Sequence, residues 1–487
     1  MKMRRLLAFT LTAALGLTLW LPGVSALEEA GEETGYLFRM KETAVMPLNA
    51  AEGVQPVPYA DGYYTADSLE ELQLWLDAGL VEMAVPDAQL ELLGEGEEGG
   101  AVSPNDPGAA QQWYLDALGM DEVWASGLDG SGVTVAVIDS GLVKGHEDLN
   151  YTNITGCNFL ATEGSVDITD WTDTTGHGSL VSGILAAQTD NSVGVASLAD
   201  GAELLVLRCF ASKDSGTTGS GSVSTILSAI EYAIDQDVDV INMSFGGTNA
   251  DSLAVLKEPL ERAADQGIIL VAAAGNDNST AYRYPAAFDC VTGVGGVGEN
   301  GTLYANTQRN DSVFLTAPAV SIYNIGYEAE NSYRSDTGTS MSTPMVSAMA
   351  ALAKQVDKAI DNDGFRTLLK ASVTDGGEAG YDTSYGWGYL SAAAFVQALT
   401  ADQTITYDCG GGTFPAEGTW SAAYQIGKGD QVVLPTPTRE GYDFTGWYLT
   451  EDCAGTPVTA IPAGSVGAVT LYAGWPQQIT PLPEPPA

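Results

Sequence analysis

Short runs of apolar residues, many of them β-branched, recur through the middle of the chain. They cover 133–138, 203–210, 238–245 and 268–274. Runs of this length are typical of buried parallel strands. Apolar residues at helical spacing follow them at 223–234, 252–266 and 340–354. Because strands and helices alternate, the pattern predicts an α/β domain with a doubly wound, mostly parallel sheet over about 105–399.

The segment before this domain has a different character. Residues 27–100 are strongly acidic and contain one predicted helix at 68–78, which begins with a capping-box pattern. The segment ends in a stretch rich in glycine and glutamate at 94–100, which is typical of a flexible linker.

Residues 1–26 predict a secretion signal. Three basic residues precede the apolar run 6–21, and small residues stand at 24–26, where a signal peptidase would cleave. The run is short for a membrane-spanning helix, which needs about 20 apolar residues. An uncleaved membrane anchor is the alternative. The signal predicts a secreted or cell-surface protein.

Composition narrows the classes of partner. The 487 residues include 19 Lys+Arg and 63 Asp+Glu, which gives a formal net charge of −44. Binding to nucleic acid needs a basic surface, so nucleic acid is excluded as a partner. Charged residues are only 17 % and hydrophobic residues 45 % of the chain, so its composition is that of a packed protein rather than a disordered acidic chain.

Three motifs place an acid, an imidazole and a hydroxyl at the ends of predicted elements. Asp139 ends a strand in VIDSG, His177 opens a helical pattern in GHGS, and Ser340 opens the helix at 340–354 in GTSMSTP. A serine hydroxyl becomes a nucleophile when a base takes its proton and a third group orients that base. Each motif alone is also typical of a turn or a helix cap. Their joint presence, in the order Asp, His, Ser, favours nucleophilic catalysis.

These motifs resemble those of the subtilisin-like serine proteases (peptidase S8 family), over about 105–399. The resemblance implies a serine-type endopeptidase that hydrolyses polypeptides with Asp139, His177 and Ser340 as its triad. A fourth motif, AAGN at 273–276, implies that the Asn276 amide and the Ser340 backbone N–H form the oxyanion hole. Losing one such donor typically lowers turnover by about 10²–10³-fold.

Histidine is scarce, and this narrows the choice of base. The chain contains two histidines, His146 and His177. His146 lies in a loop sequence, HEDL, whose counterpart in the resembled family is structural. His177 is therefore the predicted general base.

Glycine-rich segments after two strands predict the substrate cleft. One resembles the wall of the family's primary specificity pocket and consists of Ser244, Phe245, Gly246 and Gly247. The other resembles the edge strand that pairs with an extended substrate and consists of Gly219, Ser220 and Gly221. Such pairing needs exposed backbone groups more than side chains. Ordinary glycine-rich turns are the alternative.

The sequence allows two interpretations of the residues at the base of that pocket. Alignment through Tyr284 and Pro285 places Asp277 and Arg283 near it. The arginine would either favour an acidic side chain before the scissile bond, or pair with Asp277 and narrow the pocket.

The same resemblance implies structural calcium. The implied ligands are the side chains of Asp106, Asp148 and Asn191 and the backbone carbonyls of Val193 and Val195. Calcium prefers six to eight oxygen ligands, and this set supplies oxygens only. Plain turn residues are the alternative.

The acidic segment 27–100 loosely resembles a protease propeptide. Residues 81–93 resemble the end of an inhibitory pro-domain, whose tail would lie in the cleft. The chain's own pro-segment is therefore a predicted intramolecular inhibitor, and the enzyme a predicted zymogen. A plain N-terminal spacer is the alternative.

Residues 404–475 combine short alternating strands with glycine-rich turns, which predicts a small β-rich domain. The sequences PTPTREGYDFTGWY at 435–448 and VTLYAGW at 469–475 resemble the Listeria–Bacteroides or internalin B-type repeat of bacterial surface proteins. This implies a β-grasp-like fold and contact with a cell surface or cell wall. Its aromatic residues are predicted to be core. Residues 476–487 are rich in proline, which predicts an extended tail.

The leading hypothesis is thus a secreted bacterial serine endopeptidase. The alternative from another class is a surface adhesion protein whose protease domain is degenerate. The intact set of Asp139, His177, Ser340 and Asn276 favours the enzyme. The catalytic residues do not distinguish a broad scavenging protease from a specific processing one.

Overall fold

The structure is a computed structural model of the 487-residue chain. It describes residues 104–160, 169–212, 219–415 and 419–476, with short segments between 36 and 86. The chain divides into two compact units, 1–99 and 100–487. The predicted signal, the linker at 94–100 and residues 477–487 lie outside the described residues.

The described strands of the first unit form an antiparallel sheet. They are β1 (Tyr36–Met40), β2 (Val54–Pro56), β3 (Tyr63–Ala66) and β4 (Val81–Pro86), in the order β2-β3-β1-β4. Of the helix predicted at 68–78, only 75–76 are described, and they are helical, with Trp75 buried. The rest of that helix lies outside the described residues.

The second unit is built on one large sheet. Its strands up to residue 390 are β5 (Thr134–Asp139), β6 (Ile154–Asn158), β7 (Glu203–Arg208), β8 (Ala211–Ser212), β9 (Gly219–Ser220), β10 (Val240–Met243), β11 (Ile269–Ala273), β12 (Thr292–Val297), β13 (Leu315–Pro318), β14 (Ile322–Ile325), β15 (Tyr333–Asp336), β16 (Val373–Thr374) and β17 (Tyr389–Leu390). Nine of them follow the order β16-β17-β13-β12-β11-β10-β5-β7-β6. All neighbours in this sheet are parallel except β16 and β17. The four predicted strands are confirmed, each trimmed or shifted slightly at its ends.

The helices of this unit are α1 (Trp113–Leu118), α2 (Met120–Ala125), α3 (His177–Ala186), α4 (Val223–Asp235), α5 (Ala250–Leu253), α6 (Lys257–Asp265), α7 (Thr339–Val356), α8 (Asn362–Ala371) and α9 (Ala392–Thr400). Short 3-10 turns occur at Ala109–Gln111, Tyr151–Asn153, Ala254–Leu256, Glu299–Gly301 and Gly429–Gln431. The helical segment predicted at 252–266 is found, but as α5 and α6 joined by the 3-10 turn Ala254–Leu256 rather than as one α-helix. Proline has no N–H and its ring clashes with the carbonyl four residues earlier, so Pro259 falls in the first turn of a new helix.

Both faces of the sheet are covered, as a doubly wound architecture requires. Side chains of alternate strand residues point to opposite faces. Val135 and Val137 of β5 join the core that contains α3 and α7, whereas Ala136 and Ile138 join the core that contains α4 and α6. The carboxyl end of β5 and the N-termini of α3 and α7 are therefore held by buried packing.

The C-terminal region folds into its own small sheet. Its strands are β18 (Gln403–Asp408), β19 (Ala423–Tyr424), β20 (Gly446–Tyr448) and β21 (Val469–Gly474), in the order β19-β18-β21-β20. Trp447 is 2 % exposed and donates its indole N–H to the Pro435 carbonyl at 2.7 Å. The prediction that the aromatic residues form a core is confirmed for Trp447, while Phe414 and Trp420 stack at the surface.

Candidate active site

Asp139 is the last residue of β5, and His177 is the first residue of α3. His177 Nδ1 lies 2.8 Å from Asp139 Oδ1, which also accepts the Ser140 backbone N–H at 2.7 Å. Asp139 is 3 % exposed, and its Oδ2 is buried without a partner among the described residues. The buried carboxylate therefore holds the proton of the ring on Nδ1 and leaves Nε2 free to act as the base.

A second buried carboxylate, Asp173, shapes the turn before His177. Its Oδ1 accepts from the Ser140 hydroxyl at 2.9 Å and from the Gly176 N–H at 3.0 Å. Its Oδ2 accepts the backbone N–H and the hydroxyl of Ser179, at 2.9 and 2.7 Å. Asp173 thus satisfies N–H groups at the start of α3 that have no helical partner. The sequence reasoning missed it, although an aspartate before a helix start is a recognisable capping signal.

Charge around His177 favours its protonated form. Burial lowers the pKa of His177, but the opposing effect of the Asp139 charge and hydrogen bond, with smaller effects of Asp336 and Asp173, raises it to about 9. The ring is partly exposed, with 31 % of its side-chain surface accessible. The base is therefore accessible to a substrate and in need of deprotonation before it can act.

The other histidine is structural, as predicted. His146 is 2 % exposed, its Nε2 lies 2.9 Å from the Ser332 carbonyl, and its Nδ1 accepts the Asp148 N–H at 3.3 Å. Burial lowers its pKa. Both ring nitrogens have partners away from the site, so among the two histidines His177 is the candidate for the base.

Ser340 lies in the first turn of α7 and is tied to Ser244. Its hydroxyl donates to the Ser244 carbonyl at 2.9 Å, and the Ser244 hydroxyl donates to the Ser340 carbonyl at 2.9 Å. The second bond has a local cause: Pro344 lacks the N–H that would otherwise bond to the Ser340 carbonyl four residues earlier. Ser244 was predicted as a pocket wall, and the structure also makes it a hydrogen-bond partner of the serine.

Asn276 is oriented by the backbone of the serine turn. Its side-chain oxygen accepts the Thr339 N–H at 2.9 Å, and a Cβ at Gly338 would lie 3.2 Å from its amide nitrogen. Because the Thr339 N–H holds the side-chain oxygen, the amide N–H₂ group lies on the side of the Asn276 side chain that faces away from Thr339. The preceding Gly275 has a φ of +114°, a left-handed backbone that favours glycine.

Two adjoining cavities surround these groups. The first, about 390 Å³, is lined by Asp139, His177, Gly219, Ser244, Phe245, Gly246 and Asn276, among others. The second, about 210 Å³, is lined by Phe245, Gly246, Gly275, Asn276, Asp277, Arg283 and Ser340, among others. Gly219 and Ser220 form β9, which pairs with β8, and Gly221 follows it against the Cys209 carbonyl. Gly247 pairs with Tyr284 through two backbone hydrogen bonds of 2.9 Å.

Arg283 and Asp277 form an ion pair beside the second cavity. Arg283 Nε donates to Asp277 Oδ2 at 2.7 Å, and Nη2 donates to the same oxygen. The loop between them is held by Gln308, a fully buried residue whose amide bonds to four groups of that loop. Gln308 was also missed by the sequence reasoning, and no local signal marks it.

The residues implied as calcium ligands lie together around the 190–195 loop. Asp106 accepts the backbone N–H groups of Asp190 and Asn191, at 2.8 and 3.1 Å. Asp148 accepts from the Asn191 amide and the Val195 N–H, at 2.9 and 2.8 Å. The described residues contain no group of three or more His, Cys, Asp or Glu side chains placed to hold a metal, and the implied set has two carboxylates. Its oxygen-only chemistry fits calcium.

The arrangement defines a class of protein. A strand-end carboxylate, a histidine and a helix-start serine on a doubly wound sheet are the parts of an α/β serine hydrolase. No helix in the described part of the chain is both long and apolar enough to cross a membrane.

Comparison with known proteins then identifies the family. The subtilase family (Peptidase_S8) matches residues 130–388, just over half of the chain, and the chain belongs to this family. The Listeria-Bacteroides repeat domain matches residues 404–474. The chain is a serine endopeptidase with a subtilisin-like catalytic domain.

Several relatives are similar over this domain. Subtilisin Savinase of Lederbergia lenta is 36 % identical over 58 % of this chain and 97 % of its own length. Subtilisin DY of Bacillus licheniformis is 35 % identical over 57 % of this chain and 95 % of its own length. The minor extracellular protease Epr of Bacillus subtilis is 33 % identical, and the match covers 58 % of this chain and 41 % of Epr. A solved protease from Pseudoalteromonas arctica superposes with a TM-score of 0.53 at 29 % identity, over 61 % of this chain and 99 % of its own.

Proposed function

We propose that this chain is a secreted serine endopeptidase that uses Asp139, His177 and Ser340 as its triad and Asn276 in its oxyanion hole. The observation that carries the proposal is the 2.8 Å contact between His177 Nδ1 and the buried Asp139 carboxylate, in a cavity that adjoins Ser340. Substrates are polypeptides, as the family implies.

The reaction begins with a rotation of the Ser340 hydroxyl. It leaves the Ser244 carbonyl and turns toward His177 Nε2, which takes its proton as Oγ attacks the carbonyl carbon of the substrate. The Asn276 amide and the Ser340 backbone N–H, at the positive end of α7, stabilise the oxyanion. His177 then protonates the leaving amine, and water hydrolyses the acyl-enzyme by the same steps in reverse. Asp139 stays ionised and stabilises the imidazolium.

Two backbone segments are proposed to hold the substrate. The edge of β9 at Gly219 and Ser220, together with Gly221, offers pairing to an extended chain, because β9 pairs with β8 on one side among the described residues. Ser244, Phe245 and Gly246 line the same cavity as Gly219, and the glycines let the substrate backbone approach.

The acidic N-terminal unit is proposed as an inhibitory pro-segment that is removed during export. Its described strands form a compact sheet, and a linker rich in glycine and glutamate follows it. We expect the full chain to cleave itself near residues 94–102, and the Ser340→Ala chain to remain uncleaved. Cleavage at this place in purified Ser340→Ala protein would contradict self-processing.

Calcium is proposed as a structural cofactor. Asp106, Asp148, Asn191 and the carbonyls of Val193 and Val195 would hold it, and its charge would tie the N-terminal end of the domain to the 190–195 loop. Chelation should lower the melting temperature, and added calcium should restore it. An unchanged melting temperature after chelation would contradict the site.

The C-terminal repeat is proposed to contact a cell surface or cell wall, as its family implies. Its Phe414 and Trp420 rings stack with centroids 5.5 Å apart and are 36 % and 38 % exposed.

Hydrolysis of an unfolded polypeptide tests the proposed function. The purified chain should cleave it, and His177→Ala or Ser340→Ala should lower turnover by roughly 10⁶-fold. His146→Ala is the matched control for loss of an imidazole: it can lower stability, but the protein that remains folded should retain its turnover. Equal turnover in the parent and the Ser340→Ala protein would overturn the proposal.

A further inference from the structure

We propose that Arg283, held by Asp277, sets the primary specificity of this site by forming a charged but neutralised wall in the pocket beside Ser340. The pocket should prefer short or uncharged polar side chains before the scissile bond over large apolar ones. The inference deepens the proposed function and rests on it.

The stem of Arg283 lies between the two glycine walls of the pocket. A Cβ added at Gly275 would lie 2.7 Å from Arg283 Cγ, and a Cβ added at Gly246 would lie 3.3 Å from Arg283 Cβ. Both glycines line the 210 Å³ cavity that contains Ser340 and Asn276. The arginine therefore occupies space that a long side chain of a substrate would otherwise enter.

The positive charge of the Arg283 guanidinium is already neutralised by the Asp277 carboxylate. Its Nε and Nη2 both donate to Asp277 Oδ2, and the two side chains are 24 % and 43 % exposed. An acidic substrate side chain would have to compete with Asp277, so it gains little. A large apolar side chain would strip water from a partly exposed ion pair, and removing charges from water is unfavourable. A short or uncharged polar side chain avoids both penalties.

Hydrogen bonds hold both ends of the loop that carries the pair. Gln308 Oε1 accepts the Asp277 N–H at 3.0 Å, and its Nε2 donates to the Ser279 hydroxyl and the Ala281 carbonyl, at 3.0 and 2.8 Å. Next to Arg283, Tyr284 pairs with Gly247 through its backbone. With both ends fixed, the ion pair is preorganised and does not swing away to admit a larger side chain.

A set of peptides that differ only in the residue before the scissile bond tests this. The set carries Ala, Gln, Glu or Phe there, and active enzyme is counted by fluorophosphonate titration. The parent should give higher kcat/KM for Ala and Gln than for Phe. Arg283→Ala should raise the Phe-to-Ala ratio about tenfold or more. Arg262→Ala is the matched control, because Arg262 of α6 pairs with Glu231 of α4 and neither residue lines the two cavities, so it should leave the ratio unchanged.

A second variant separates neutralisation from simple filling of space. Asp277→Asn frees the guanidinium, so the Glu-to-Gln ratio should rise about tenfold over the parent. A parent that prefers Phe, with a ratio unmoved by Arg283→Ala, would overturn the inference. A parent whose Glu-to-Gln ratio already equals that of Asp277→Asn would also overturn the inference. If the parent is labelled by fluorophosphonate but gives either of these contradicting results, the proposed specificity is wrong and the proposed function stands. If the parent shows neither labelling nor hydrolysis, the proposed function is wrong as well.

Discussion

Pro344 explains why the Ser244 hydroxyl bonds to the backbone of Ser340. The proline leaves the Ser340 carbonyl without its helical donor, and the Ser244 hydroxyl fills that place at 2.9 Å. Asn242 Nδ2 donates to the Ser244 hydroxyl at 3.1 Å, and Asn242 Oδ1 accepts from the Ser347 hydroxyl at 2.9 Å. A buried chain of polar groups thus fixes the backbone from which the nucleophile projects.

Ser244→Ala should therefore destabilise the protein and lower its turnover of substrate. Leaving a buried acceptor without a donor costs about 1–3 kcal/mol, and a shifted Ser340 backbone should lower kcat more than it raises KM. Denaturant unfolding and steady-state kinetics measure the two effects. Ser228→Ala is the control, since its hydroxyl also donates to a carbonyl but at an exposed helix surface. Equal effects of the two changes would contradict the role of Ser244.

The pH dependence of kcat/KM should report the charges around His177. The base acts only when neutral, so activity rises as pH rises through its pKa, which the carboxylates raise to about 9. Asp336 is one of these groups and is itself 3.6 Å from Arg334. Asp336→Asn should move the rising limb to lower pH. Asp430→Asn, an exposed change in the C-terminal repeat, should not. If the rising limb of the kcat/KM profile stays at the same pH in Asp336→Asn, Asp336 does not raise the pKa of His177.

At the scale of elements, the N-terminus of α3 depends on one carboxylate. Asp173 accepts from backbone groups of Thr175, Gly176 and Ser179 and is 5 % exposed. It links the end of β5, through Ser140, to the turn that carries His177.

Asp173→Ala should lower the free energy of unfolding by at least about 2 kcal/mol, because several buried donors lose their acceptor together. Asp361→Ala, which removes the exposed cap of α8, should cost about 1 kcal/mol. Comparable losses, measured by urea unfolding, would show that Asp173 is an ordinary cap.

The elements that carry the proposed triad were predictable because their signals are local. The apolar runs gave β5, β7, β10 and β11, and the motifs gave the strand end and helix starts on which Asp139, His177 and Ser340 lie. The break before Pro259 was missed because apolar spacing continues through it. The roles of Gln308 and Ser244, and the pairing of Arg283 with Asp277, depend on loops that meet only in the folded chain.

At the scale of the whole molecule, the C-terminal repeat is joined to the catalytic domain by packing. Ile426 is 2 % exposed and belongs to the large core of the catalytic domain rather than to the core of the repeat. Asp357, at the end of α7, accepts the Gly464 N–H at 2.7 Å. The resemblance to a surface repeat gave no indication of this contact, because it joins residues distant in sequence.

Ile426→Ala should therefore destabilise the catalytic domain. Large-to-small changes in a core cost about 2–5 kcal/mol, so thermal inactivation of the peptidase should occur at a lower temperature. Val433→Ala, at a site 55 % exposed in the same repeat, should have little effect. Unchanged inactivation in Ile426→Ala would mean that the repeat is an independent module.

We expect His177, oriented by Asp139, to activate Ser340 within this site. The most direct test of this activation is to treat the purified chain with a fluorophosphonate and locate the adduct by peptide mass spectrometry. The structure predicts one adduct, on Ser340, formed rapidly in the parent and greatly slowed in His177→Ala. An adduct on another serine, or equal labelling of Ser340 in the parent and in His177→Ala, would contradict it.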